Sequence, residues 1–330
     1  MSKLAPLMVA TALSAAALLA GGTAAASETK TYPGSFCTPG MYGEAGTATA
    51  AGGKFKSTNS NGQTVVCPIV KSVSSDPKID GVTMNIVAAG ASGAPTCTLY
   101  AMNAMVASNG ASNIRFQKAG AVSADRKSIT FASMGGGLNP PPNPFNDFFY
   151  YQINCSLRNG DTILDYKVVE AGANTSAYKI YPPSMCRADA WENTSIYYFN
   201  TPSSGSAGGY LNARTQFSDN SGMMSVICPI VTDHVTTNAA GTAVATIMLG
   251  RPNVSTFSIG CTLYVHNSFA GAPIDSNSTG AYTGNSSPFP TKAFNIPVDV
   301  GVTGARYHIA CEAPASGDAK INGYKIQENP

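Results

Sequence analysis

The apolar residues of this chain fall in short runs that are separated by turn-forming residues. Val65-Val66-Cys67 and Val226-Ile227-Cys228 are such runs, and Gly, Asn, Ser and Pro bound them. Short runs rich in β-branched residues predict strands, and helical periodicity is scarce. Asn59-Ser60-Asn61-Gly62 precedes the first run and Asp219-Asn220-Ser221-Gly222 the second, which predicts a tight turn before each strand.

The same pattern predicts further strands along both halves of the chain. In the first half they are residues 82–87, 97–102, 128–132, 149–155 and 166–170. In the second half they are residues 195–199, 243–249, 258–266, 294–298, 307–311 and 324–327. Many short strands at this spacing favour antiparallel β-sandwiches.

Several motifs occur twice, in the same order. Cys67-Pro68-Ile69-Val70 returns as Cys228-Pro229-Ile230-Val231, and Cys97-Thr98-Leu99-Tyr100 returns as Cys261-Thr262-Leu263-Tyr264. Self-similarity of this kind indicates a tandem duplication. The proline in the first motif cannot donate to a sheet ladder, so it predicts a strand end, an edge or a bulge. We predict an all-β fold of two tandem antiparallel, jelly-roll-like β-sandwich domains, each with two disulfides, at residues 27–172 and 173–330.

Residues 1–26 have the features of an export signal. Lys3 is its sole charge, an apolar segment follows, and Ala24-Ala25-Ala26 offers a cleavage site. The apolar segment is shorter than the roughly 20 residues that cross a membrane, and no later stretch is long enough. We therefore expect a secreted or periplasmic protein, cleaved near Ala26, with no transmembrane segment in the mature chain.

The eight cysteines divide into four in each repeat. Behind an export signal an even number predicts disulfides, and no Cys-x-x-Cys pair suggests a zinc site. Four cysteines allow three connectivities, and a self-sufficient repeat should bond internally. We predict the pairs Cys37–Cys67, Cys97–Cys155, Cys186–Cys228 and Cys261–Cys311.

Charge excludes two classes of partner. The formal net charge is +2, and charged residues make up 12% of the chain. Nucleic-acid binders usually carry a basic stripe, and polybasic clusters attract membranes. The cations here are scattered, so we expect neither a nucleic-acid partner nor attraction to a membrane through a polybasic cluster.

The repeated unit, with its early cysteine, Cys-Pro-Ile-Val, Cys-Thr-Leu-Tyr, a tyrosine-rich strand that ends in cysteine and a closing Tyr-Lys-x-x-Glu, resembles a broad group of exported bacterial proteins of unassigned function. The resemblance covers residues 31–330. It implies an export signal and a disulfide-bonded β domain, and this chain carries the unit in tandem duplicate.

Motifs of hydrolytic catalysis are absent from the sequence. There is no Gly-x-Ser-x-Gly elbow and no His-Glu-x-x-His helix. Asp161, Asp165 and Glu170 could supply a glycosidase pair, but solvated strand ends explain them more simply. We predict no catalytic residues, no cofactor and no metal site.

The three histidines, His234, His266 and His308, all lie in the second repeat, where the first holds Val73, Met102 and Gln152. If Cys261 faces Cys311 on a neighbouring antiparallel strand, Tyr264 opposes His308 and Arg306 opposes His266. Alternation then places all four side chains on the face opposite the sulfurs. We take Tyr264, His266, Arg306 and His308 as the candidate binding residues for a polar ligand. An exposed pair with no role is the alternative, and Arg306 would repel a metal cation.

Three hypotheses for function follow. The first is a non-catalytic exported protein that acts through its surface, as a structural, adhesive or ligand-binding module, with a glycan or the cell envelope as partner. The second is a carbohydrate-binding protein, for which Tyr150-Tyr151 and Tyr197-Tyr198 each offer one ring to each face of a strand. The single tryptophan, Trp191, is expected to cover the Cys186 disulfide. The third is a secreted hydrolase with its site in the second repeat.

Overall fold

A computed structural model describes most of the chain. The described residues are 28–40, 48–49, 52–72, 79–90, 93–103, 114–134, 149–170, 178–188, 197–199, 211–213, 223–231, 241–250, 258–266, 273–283, 291–300, 306–314 and 320–328. The helical segments among them are two 3-10 turns, Gly34–Phe36 and Pro183–Met185. Neither is long enough to cross a membrane. The all-β prediction is confirmed.

The first repeat forms two antiparallel sheets. Sheet A has the order β10-β11-β7-β13-β4-β3, with β1 also paired to β13, and sheet B has the order β2-β5-β12-β8-β9. The strands are Glu28–Pro33 (β1), Thr38–Pro39 (β2), Ala48–Thr49 (β3), Phe55–Ser57 (β4), Gln63–Ile69 (β5), Lys71–Ser72 (β6), Ile79–Val87 (β7), Thr96–Asn103 (β8), Ile114–Ala119 (β9), Ala121–Val122 (β10), Ser128–Met134 (β11), Phe149–Leu157 (β12) and Thr162–Glu170 (β13).

The second repeat has the corresponding arrangement. Sheet C has the order β16-β17-β25-β14-β6, with β19 paired to β25 and β23, and sheet D has the order β15-β18-β24-β20-β21, with β22 on β20. The strands are Tyr178–Tyr181 (β14), Arg187–Ala188 (β15), Tyr197–Phe199 (β16), Leu211–Ala213 (β17), Met223–Ile230 (β18), Gly241–Gly250 (β19), Ser258–His266 (β20), Pro273–Ser278 (β21), Tyr282–Thr283 (β22), Thr291–Val300 (β23), Arg306–Pro314 (β24) and Lys320–Glu328 (β25).

Every predicted strand overlaps an observed one, although residues 195–196 lie outside the described residues. The two sheets of the first repeat enclose its core. Met84 Sδ, on sheet A, lies 3.9 Å from Cys97 Sγ and 3.7 Å from Cys155 Sγ, on sheet B. All four predicted disulfides are present, and no cysteine is free.

A pair of buried tyrosines explains the repeated Cys-Pro-Ile-Val motif. Tyr32 and Tyr166 stack with ring centroids 5.0 Å apart and donate hydrogen bonds to the carbonyls of Val70 and Pro68. In an antiparallel ladder the backbone N–H and C=O of one residue point to the same side. Pro68 has no N–H, so its carbonyl is the one backbone polar group of this residue that needs a partner. The Tyr166 hydroxyl supplies that partner. Pro68 is the last residue but one of β5 and lies beyond the two residues that pair with β2, so it is at a strand end, one of the three predicted positions.

The second repeat carries the same device. Tyr181 and Tyr324 stack at 4.9 Å and donate to the carbonyls of Val231 and Pro229. Each donor-acceptor pair occupies the same motif position as its counterpart in the first repeat. The duplication therefore preserved the contact that ties the two sheets of each sandwich together.

The two repeats contact one another directly. Strand β14 of the second repeat pairs with β6, which follows the Cys-Pro-Ile-Val strand of the first. Beside this pairing, Met102 and Tyr150 from sheet B form one buried apolar cluster with Ile180 and Met248 from sheet C. We call these four residues the inter-repeat cluster. Independent folding of each repeat, with a boundary near residue 172, stays a prediction.

Candidate functional site

The structure brings the four predicted site residues together in sheet D. Cys261 pairs with Cys311, Tyr264 with His308 and His266 with Arg306, which is the predicted register. Along β20 the burial alternates strictly, with Ile259, Cys261, Leu263 and Val265 buried. The buried Cys261–Cys311 disulfide thus fixes which face of β20 points away from the core, and the candidate residues lie on that outward face.

Three of the four side chains form a continuous row of rings. The ring of His308 stacks on Tyr264 with centroids 5.1 Å apart and on His266 with centroids 4.9 Å apart, each pair within 19° of parallel. Tyr264, His266 and His308 are half-buried, and Arg306 is exposed. We call these four residues the ring face. It presents an aromatic and imidazole surface beside a cation.

One atom of the ring face has no partner within the described part of the chain. Nε2 of His266 is buried and makes no hydrogen bond there. A buried polar atom without a partner costs about 1 to 3 kcal/mol, a penalty that a bound partner with a matching polar group can remove. A polar atom without a partner is more typical of a surface that binds another molecule than of a protein core.

The geometry does not favour a metal site. Imidazole lone pairs lie in the ring planes, so two rings stacked within 19° direct them nearly parallel instead of toward one ion. Among the described residues, no group of three or more His, Cys, Asp or Glu side chains could hold a metal ion. The ring face is suited to stacking and hydrogen bonding.

The equivalent face of the first repeat is covered by the second repeat. Met102, Tyr150 and Gln152 correspond to His266, Arg306 and His308, and they are 0%, 0% and 2% exposed. Tyr100, the counterpart of Tyr264, packs against the inter-repeat cluster. One sheet face is therefore an interface in the first repeat and an open surface in the second.

This coverage corrects an expectation about the tyrosines. The carbohydrate-binding hypothesis has one ring of Tyr150-Tyr151 on each face of β12, with the outward ring free to contact a sugar. Both rings are buried, because Tyr150 points into the inter-repeat cluster. The side chains of Tyr197-Tyr198, together with His234 and Trp191, lie outside the described residues, and so do the site roles considered for them.

Two of the three acidic residues, Asp161 and Glu170, are not the solvated strand ends that the sequence suggested. Asp161 is fully buried and accepts hydrogen bonds from the backbone N–H groups of Ala89 and Arg158, each at 2.8 Å. Glu170 is 3% exposed and lies 3.0 Å from Lys30 Nζ, and its burial raises its pKa. The carboxylates of Asp161 and Glu170 are therefore held by contacts within the first repeat. Of the three acids only Asp165 keeps an exposed environment, where it accepts a hydrogen bond from Asn85.

Sequence reasoning missed a cleft on the outer face of sheet A. It has a volume of about 630 Å³ and is lined mainly by the end of β7, the turn before β11 and the start of β13. Val87 and Leu164 supply apolar surface, and Asp125, Arg126 and Asp165 supply charge. Leu164 lies in a bulge of β13, which no strand pattern in the sequence reveals.

No protein-family model matches the chain, and no curated protein matches it. Among solved structures, the chain is similar to the N-terminal CBM22-1-CBM22-2 tandem domain of Paenibacillus barcinonensis Xyn10C, at 10% identity over 91% of each chain with a TM-score of 0.30. It is also similar to Arthrobacter globiformis T6 isomalto-dextranase complexed with panose, at 8% identity over 88% of this chain and 39% of that one, with a TM-score of 0.35.

A third similar structure is truncated AlyQ with CBM32 and alginate lyase domains. The identity is 8% over 92% of this chain and 100% of that one, and the TM-score is 0.24. Likeness of this degree defines neither fold nor function. The fold follows from the strand pairing described above, and the function must be argued from the ring face itself.

Proposed function

We propose that this is a non-catalytic exported protein that acts through its surface, and that the ring face is the surface that binds. The observation that carries the proposal is the contrast between the repeats. The face that holds Tyr264 and His308 is open in the second repeat, while its counterpart in the first is a protein contact. The duplication therefore leaves exposed, in the second repeat, a sheet face that makes a protein contact in the first.

The residue types support binding rather than mere solubility. A face that only needs solvation is usually covered with lysine and glutamate, whereas Tyr and Arg are the types enriched where proteins bind partners. Tyr264 and Arg306 occupy this face with two imidazoles between them. Export is supported by the four disulfides, which form and persist in oxidising compartments.

Carbohydrate binding is the second candidate, and one observation favours it. The Tyr264 ring is half-buried, and its stacking on His308 fixes its orientation, which offers a sugar a rigid aromatic side chain. The hydrolase alternative has less support, since all eight cysteines are in disulfides and two of the three candidate acids are held by structural contacts.

One preparation of mature protein tests these proposals. We expect no turnover of glycoside, ester or peptide substrates, and we expect binding to glycans or to cell-envelope fractions that Tyr264→Ala and His308→Ala both weaken. Phe116→Ala, an exposed aromatic on the first repeat, is the matched control and should leave binding unchanged. Turnover that disappears in His308→Ala would overturn the non-catalytic proposal and favour the hydrolase.

A further inference from the structure

The contact between the repeats has two sides, and each side has an uncovered counterpart. Sheet B contributes Met102 and Tyr150, whose counterparts on sheet D are His266 and Arg306. Sheet C contributes Ile180 and Met248, whose counterparts lie on the outer face of sheet A. The ring face on sheet D and the outer face of sheet A therefore correspond to the two halves of the interface between the repeats.

Strand register identifies the counterparts on sheet A. Tyr166 pairs with Met84 and Tyr324 pairs with Ile247, so Asn85 corresponds to Met248. A bulge follows at the same place in both repeats, which confirms the alignment. Thr31 corresponds in the same way to Ile180, because it precedes the first tyrosine of the stacked pair.

Apolar side chains remain exposed on both free surfaces. Val87, on sheet A, is 50% exposed, and Val231, beside the ring face, is 45% exposed. They are the two most exposed large apolar side chains in the described part of the chain. Their counterparts, Gly250 and Val70, are buried. Each free surface thus keeps an apolar element at a position that is covered where the repeats meet.

The charges on the two free surfaces are complementary at one point. Tyr150 and Met248 both belong to the inter-repeat cluster, so an equivalent contact would bring their counterparts, Arg306 and Asn85, into one cluster. The Asn85 amide donates a 2.6 Å hydrogen bond to Asp165, which places a carboxylate where the guanidinium would arrive. Both residues line the cleft of sheet A, which also contains Asp125, Arg126 and Lys127.

Sheet A also offers an open strand edge. Strand β14 pairs with β25 on one side and with β6 of the first repeat on the other. Its counterpart β1 pairs with β13 and with no other strand in the described residues. An unpaired edge can accept a strand from another chain. The first repeat thus presents a complementary face and a strand, β1, that has one partner strand among the described residues.

We propose that the partner of the ring face is a second copy of this chain, whose sheet A receives it head to tail. This proposal rests on the proposed function, because it names the partner of the same surface. The contact reproduces the geometry between the repeats, with an Arg306 to Asp165 ion pair in place of apolar packing. A heterologous contact leaves a free surface at each end, so it builds rings or open filaments.

Sedimentation velocity of the mature, disulfide-bonded full chain, from micromolar to millimolar concentration, tests this proposal. We expect the sedimentation coefficient to rise with concentration and the effect to weaken in high salt. Arg306→Glu and Asp165→Lys should each weaken association by about tenfold or more. Glu312→Lys is the control, since it lies on the same strand and face about 20 Å from Arg306 and should leave association unchanged.

Mixing the two single variants separates head-to-tail from face-to-face association. Arg306→Glu retains a native sheet A, and Asp165→Lys retains a native ring face, so the mixture should associate although neither variant does alone. Circular dichroism should show that both variants are folded, and Asp165→Asn is a milder substitute if Asp165→Lys is not. A chain that stays monomeric at every concentration, or association that is unchanged in Arg306→Glu, would overturn the proposal.

The outcomes for self-association and for the proposed function can be distinguished. If the chain is monomeric but Tyr264→Ala still weakens glycan or envelope binding, self-association is wrong and the binding role of the ring face holds. If Tyr264→Ala changes neither glycan or envelope binding nor sedimentation, both proposals fail.

Discussion

The hydroxyl of Tyr166, on sheet A, donates a 2.5 Å hydrogen bond to the carbonyl of Pro68, on sheet B. The ring is fully buried, and Tyr324 makes the corresponding bond to Pro229 in the second repeat. The proline removes a donor that would have no partner at this edge, and the tyrosine supplies a donor to the acceptor that remains. The two residue types therefore depend on each other.

Loss of this hydroxyl should destabilise the first repeat. Tyr166→Phe leaves the ring in place but leaves the Pro68 carbonyl buried without its donor, which should cost about 1 to 3 kcal/mol in the free energy of unfolding. Urea denaturation followed by circular dichroism measures the loss. Tyr100→Phe, a half-buried tyrosine of the same repeat, is the control. Equal stability of Tyr166→Phe and the wild type would show that the bond contributes nothing.

Alkaline pH should unfold the protein through the same tyrosines. Burial raises the pKa of Tyr32, Tyr166 and Tyr324 above the ordinary value. Because the folded state holds these protons more tightly than the unfolded state does, stability is fully present below the unfolded pKa of about 10 and falls as the pH rises above it. The free energy of unfolding, measured from neutral pH to about pH 11, should decline only above that point. A Tyr32→Phe and Tyr166→Phe double variant should show a shallower decline, and an equally steep one would rule out these groups.

The strands, the disulfides and the ring face could be predicted because two local rules agree on them. Period-two alternation fixes which residues share a face, and the disulfide Cys261–Cys311 fixes the register of two strands. Given both, the position of His308 opposite Tyr264 follows. No information from outside these two strands is needed.

The coverage of sheet B could not be predicted in the same way. The alternation that points His266 outward also points Met102 outward, and nothing within one strand states that a second domain covers it. The available signal was the exchange between repeats, since Met102 and Tyr150 are replaced by His266 and Arg306. Asp161 was misjudged because its partners are backbone N–H groups, which carry no mark in the sequence.

Removal of one disulfide should destabilise one repeat without disturbing pairing in the other. The Cys261–Cys311 bond closes a loop with a sequence separation of 50 residues, and replacing both cysteines by alanine should cost about 4 kcal/mol in the unfolding free energy. Urea denaturation measures the cost. Non-reducing peptide mapping should still find Cys97 bonded to Cys155, and a bond between the two repeats would contradict internal pairing.

Placing the residues of sheet D at the equivalent positions of sheet B should separate the two repeats. Met102→His and Tyr150→Arg give sheet B the residues that the ring face carries, and each puts a polar group into a cluster where Met102, Tyr150 and Met248 are fully buried. Polar groups buried without partners cost several kcal/mol, so the contact should open at the cost of about 3 kcal/mol or more. Calorimetry should then show two thermal transitions, and small-angle scattering should show a larger radius of gyration.

The reverse exchange is the matched control. His266→Met and Arg306→Tyr alter the same two positions of sheet D, where the side chains are half-buried and exposed, so neither change buries a new polar group and the protein should lose no stability. If the sheet B variant unfolded like the wild type and kept its radius of gyration, the inter-repeat cluster would not be what holds the repeats together. The backbone pairing of Ile180 with Lys71 would then be the contact to test, by placing proline at position 180, where it would remove a backbone donor from β14.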